Sequence, residues 1–102
     1  MKTYRQGDLL FIEDKLPENT EQVAREDGKL ILARGEATGH AHTIRTPGVE
    51  LHLLDGRRWV VAPDGGTTVT HEEHVPLSLP LGVWRVAQQR EYTPAGIRPV
   101  MD

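Results

Sequence analysis

Short apolar runs, each cut off by glycine or proline, set the rhythm of this chain. "DLLFIE" (8–13), "KLILAR" (29–34), "AHTIRT" (41–46), "VELHLL" (49–54), "RRWVVA" (57–62), "GTTVTH" (66–71) and "GVWRVAQQREY" (82–92) are the runs in question. An amphipathic helix needs an apolar stripe that returns every three or four residues over ten or more positions, and none of these runs sustains one. Their β-branched and aromatic content suits a half-buried pleated strand instead. Between Leu54 and Arg57, Asp55–Gly56 supplies the pair that a two-residue type I′ turn needs, because both central residues must take positive φ. The clearest prediction is therefore a hairpin over 49–62.

"KLPENTEQVARED" (15–27) is the one stretch that reads as helical, and it reads equally well as a polar loop, since Val23 and Ala24 make no stripe. The turns recur at the spacing of a small all-β domain. The expected fold is mostly β: a small antiparallel β-sandwich or barrel of about seven short strands, with at most one short helix. One β domain over 1–102 is expected, with 93–102 an extended C-terminal tail.

Composition narrows the chemistry. The 102 residues are only 37% apolar, so a domain this small gains from a ligand or a partner subunit, and a homo-oligomer is expected. There is no cysteine, which excludes disulfides, thiolate metal sites and cysteine nucleophiles. Any metal must be held by imidazole, carboxylate or water. A net charge of −3 gives no electrostatic reason to expect nucleic-acid binding. The N-terminal "MKTYRQGDLLFIEDK" breaks quickly into charge, and no run approaches membrane-spanning length, so a cytoplasmic protein without a membrane partner is expected.

Four of the five histidines fall in two clusters, "GHAH" (39–42) and "HEEH" (71–74). On a strand, residues two apart share a face, so His40 and His42 project together. Gly39 permits a tight turn just before them. His71 and His74 share a face only if the chain bends at Glu72–Glu73, and Gly65–Gly66 and Pro76 flank such a bend. The expected metal ligands are His40, His42, His71 and His74, holding zinc, iron, nickel or manganese. Glu36, Glu72 and Glu73 are the candidate catalytic carboxylates. "HEEH" is one residue too short for the helical H-E-x-x-H of zinc proteases, and its flanks are not helical. His52, between Glu50 and Leu54 in "VELHLL", reads as a half-buried hydrogen-bonding residue.

The His40–Ala41–His42 pair on a predicted strand resembles the first part of the cupin metal motif, with His71 or His74 standing for that family's distant histidine. The likeness spans about a third of the chain. The glutamate that follows the pair in cupins has no counterpart here, since the first carboxylate after His42 is Glu50.

Arg34, Arg45, Arg57, Arg58, Arg85 and Arg90 lie along predicted strands. They suit a phosphorylated or carboxylate ligand, or simply solvated strand faces. Trp59, Trp84 and Tyr92 read as core or interface anchors. No phosphate-binding glycine loop occurs, and the single serine, Ser78 in "PLSLP", sits in no nucleophile elbow. Three functions follow from the histidines. The first is a metal-binding domain acting as a metal-dependent hydrolase on a phosphoester-type bond. The second is a metal-free histidine acid–base phosphodiesterase or nucleotide-processing enzyme. The third is a non-catalytic accessory module of an oligomeric assembly.

Overall fold

The computed structural model describes residues 1–34, 39–93 and 96–99, those from 90 onward by their backbone alone. Its strands are β1 (Thr3–Gln6), β2 (Leu9–Glu13), β3 (Glu21–Gln22), β4 (Leu30–Arg34), β5 (Ala41–Ile44), β6 (Glu50–Leu54), β7 (Arg57–Ala62), β8 (Thr67–Thr70), β9 (Leu77–Leu79), β10 (Gly82–Gln88), β11 (Arg90–Thr93) and β12 (Gly96–Pro99). Two antiparallel sheets carry the fold: β1-β2-β10-β7-β6-β3 and β4-β5-β8-β9. Both sheets are open, so the architecture is a sandwich and not a closed barrel.

Each predicted run contains a strand, and the β6–β7 hairpin forms as expected, with Asp55 at φ 50° and Gly56 at φ 77°. Three further strands, β1, β3 and β9, are too short or too polar to announce themselves by alternation. Within the segment expected as a tail, β12 pairs antiparallel with β11, which begins at Arg90 inside the last predicted run. No helix occurs among the described residues, and so none long and apolar enough to cross a membrane.

Alternation puts one face of each sheet into a shared core. Leu9, Phe11, Leu51, Val60, Ala62, Trp84 and Val86 come from the larger sheet, and Leu30, Leu32, Ile44, Val69 and Leu79 from the smaller. Trp84 is anchored at both ends: its indole N–H donates to the Pro80 carbonyl at 3.0 Å, and Tyr4 meets its ring edge-on. Burying such side chains is the main stabilising term, about 1.5–3 kcal/mol each.

Residues 15–27 take the non-helical alternative, a strap that carries β3 along the β6 edge of the larger sheet. Trp59 Nε1 donates to Asp14 at 3.0 Å just before the strap, and the Val23 amide donates to the Leu51 carbonyl at 2.8 Å. Arg25 closes it by donating to the carbonyls of Gly28, Thr46 and Val49. Polar side chains satisfy backbone carbonyls here, which is why a stretch with so little apolar content is nonetheless ordered.

Candidate functional site

The two histidine clusters meet at one end of the sandwich. Gly39 takes φ +74°, a conformation that costs a residue with a Cβ, and it turns the chain into β5 just ahead of His40. The opposite cluster follows β8 directly, because the chain leaves the sheet at His71 and bends through Glu72–His74. The bend predicted at Glu72–Glu73 therefore brings His71 and His74 together, with ring centroids 4.5 Å apart. His71 is the hub: His42 lies 4.4 Å from it and His40 5.6 Å, the latter edge-on. His42 and His74 stack nearly parallel at 6.0 Å.

Of the pair, His42 is the more deeply buried. His42 is 1% exposed, and its ring nitrogens lie 2.9 Å from Gln6 Oε1 and 3.0 Å from Asp8 Oδ1. Gln6 fixes the first of these contacts. Its amide nitrogen donates to the carbonyls of Val69 and Val75, both at 2.9 Å, so its oxygen is the atom turned to the ring and His42 Nδ1 must carry a proton. A second proton lies between Nε2 and Asp8 Oδ1. The other Asp8 oxygen accepts from Gln88 at 2.8 Å. His42 is thus bonded through both ring nitrogens, to Gln6 and to Asp8.

His40, His71 and Glu72 are the residues that converge. Each offers one ligand atom, and all three atoms lie within 4.8 Å of one another. Glu72 is held by the Ala41 amide, which donates to it at 3.0 Å. That hydrogen bond, with the histidines nearby, keeps its carboxyl below the usual glutamate range, so it is ionised at neutral pH. Glu73 lies 3.5 Å from His40 Nδ1, and its backbone amide donates to His71 Nδ1 at 3.0 Å. A nitrogen that accepts a hydrogen bond carries no proton, so the proton of neutral His71 is on Nε2. Glu36 lies outside the described residues.

Beside this cluster, on the outer face of the smaller sheet, is a groove of about 430 Å³ lined by Lys29, Ile31, Arg34, Gly39, Ala41, Thr43, Arg45, Thr70, His71 and Glu72. Its floor is the row Ile31–Thr43–Thr70, paired across β4, β5 and β8, with the two threonine hydroxyls 3.1 Å apart. A bulge between Ile31 and Ala33 shifts the register of β4 and brings Arg34 opposite Ala41, at the histidine end.

Of the remaining arginines, Arg58 turns inward and donates to the Leu32 carbonyl. Burial pushes its guanidinium below the usual arginine value, and the charge of Asp8 partly offsets this. Arg85 lies 3.8 Å from Asp14 on the far face. His52 is the hydrogen-bonding residue its sequence suggests: Thr20 Oγ1 is 2.9 Å from Nδ1, and Glu50 Oε1 is 2.9 Å from Nε2.

Gln6, Asp8 and Gln88 escape the sequence reading altogether. "RQGD" marks a turn, and nothing in its pattern says that two of its polar side chains are buried. The groove cations were visible only as scattered strand residues.

Compared with known proteins, residues 5–89 match the family model described as a domain of unknown function (DUF8820). No curated protein and no solved structure matches the chain.

Proposed function

We propose that this chain, which belongs to the DUF8820 family, is a metal-binding β domain that holds one divalent transition ion on His40, His71 and Glu72. The observation that carries the reading is the convergence of two imidazoles and an ionised carboxylate within 4.8 Å. Ligand atoms of a tetrahedral zinc ion stand about 3.4 Å apart, so a small contraction completes the site. Glu73 beside His40 Nδ1 suits the carboxylate–histidine–metal arrangement, which orients a ligating ring and places the lone pair on its other nitrogen. His42, fixed by Gln6 and Asp8, backs the ring of His71.

Three protein ligands leave a four-coordinate ion one position for water, and an ion so placed makes hydroxide at neutral pH. Hydrolysis of a phosphoester-type bond, with Glu73 as the neighbouring base, is the catalytic form of this reading. It draws support from the basic groove that opens on the same residues.

Metal binding has one structural cost. A ligand bond to His71 Nδ1 replaces the Glu73 amide, while one to Nε2 requires the proton to move to Nδ1, which breaks the same hydrogen bond. Either way the Glu73 amide changes partner. The test is elemental analysis of untagged protein followed by titration with zinc, iron(II), nickel and manganese, with the Glu73 amide followed by NMR. About one equivalent bound, lost in His40→Ala and His71→Ala but kept in His52→Ala, is the expected result, together with a shifted Glu73 amide. No binding, or equal binding in His40→Ala, overturns the reading.

A further inference from the structure

We propose that the groove on the smaller sheet is the seat of a small molecule with a phosphate group at one end, that phosphate lying between Lys29 and Arg45. The reactive end of the molecule then faces His40, His71 and Glu72; only this orientation rests on the metal reading above.

The placement follows from register. Leu30 pairs with Ile44, so Lys29 and Arg45 stand side by side one step further along β4 and β5. Arg34 pairs with Ala41 at the opposite end, next to His71 and Glu72. Four residue steps run from Ala41 to Arg45, about 13 Å at the usual strand rise. A molecule with a charged group at one end and its reacting bond at the other spans that distance, and the volume of about 430 Å³ suits a ligand of this size.

The charge of the groove points to an anion. Among the described residues, Lys29, Arg34 and Arg45 line it with one carboxylate, Glu72, which already accepts the Ala41 amide. The chain as a whole carries a net charge of −3, so these cations are gathered locally against the overall sign. Arg34 is engaged with Glu26 at 3.4 Å at the surface, which leaves Lys29 and Arg45 as the pair assigned to the phosphate. Between the ends, the hydroxyls of Thr43 and Thr70 and the edge of Ile31 offer a floor that is polar in part and apolar in part, as a small organic body requires. A dianionic phosphate gains more from two cations than a carboxylate does.

The experiment is titration of the protein with phenyl phosphate and, separately, with benzoate, read by amide chemical shifts. It is run on the parent, Lys29→Ala, Arg45→Ala and His40→Ala, and the metal content of each is measured independently. The expected result is shifts along β4 and β5 with phenyl phosphate and much weaker ones with benzoate. Lys29→Ala and Arg45→Ala should each weaken phenyl phosphate by about tenfold, the loss of one charge-assisted contact, while keeping their metal. His40→Ala should lose metal and still bind phenyl phosphate within about threefold, so failure of the metal reading leaves this proposal standing. Shifts that ignore both groove substitutions, or equal binding of benzoate, overturn it. So does an absence of phenyl phosphate binding in a folded parent.

Discussion

Two histidine networks, one on the larger sheet and one at an end of the sandwich, are built to different purposes. On the larger sheet, His52 spends both ring nitrogens on Thr20 and Glu50, and its network fastens the 15–27 strap without lining the groove. At the end of the smaller sheet, four histidines, two glutamates and a groove share one corner. The same distinction recurs inside that corner. His42 is tied on both sides, like His52, whereas His40 and His71 converge with Glu72. Commitment of the ring nitrogens, more than proximity of the rings, separates a structural histidine from one offered to a ligand.

Breaking His42 is the strongest way to test that distinction. His42→Ala takes one contact each from the buried Asp8 and Gln6, and removing one side of a buried pair costs about 3–5 kcal/mol. Urea unfolding should show this loss with or without added metal; a change under 1 kcal/mol, on the order of one ordinary hydrogen bond, would mean that His42 is no support.

His52→Ala sharpens the contrast at lower cost. Two hydrogen bonds are lost at a site that water can partly refill, so about 1–2 kcal/mol is expected, with metal affinity unchanged. Faster hydrogen exchange at Val23, whose amide lies in the strap, should accompany it. A loss of metal binding in this variant would erase the difference between the two networks.

The smallest effect belongs to Asp14, at the edge of the strap. The Trp59 indole, then the Lys15 amide, hold its carboxyl below the ordinary 3.8. Its folded value is depressed, so its contribution to stability is present above 3.8 and is lost as pH falls through the lower folded value. Parent and Asp14→Asn unfolding curves should therefore differ slightly at neutral pH and converge in acid. Curves that diverge further below pH 3.8 would contradict the assignment.

How far the sequence could lead depended on whether a feature repeats. Apolar runs of strand length between glycines and prolines recur along the chain, so the main strands were legible, as was Asp55–Gly56 through its demand for positive φ. β3 has two residues and no period to read. The meeting of "GHAH" with "HEEH" was legible as composition, because few other residues in so small a chain bind metals. The separation of His40 from His42 was not. It depends on Gln6 and Asp8, which lie more than thirty residues away in sequence, and long-range hydrogen bonds leave no local mark.

The β4 bulge has a consequence of its own. A strand reads its residues in two alternating registers, and an extra residue acts as a change of phase. Before it, Lys29 and Ile31 line the groove; after it, Leu32 and Ala33 are both buried and Arg34 takes the outward place. Hydrophobic code and basic code thus overlap in "KLILAR" without contradiction. Were β4 to keep strict alternation from Lys29 through all six residues, with no change of phase, Arg34 would turn towards the core and the histidine end of the groove would lose its cation.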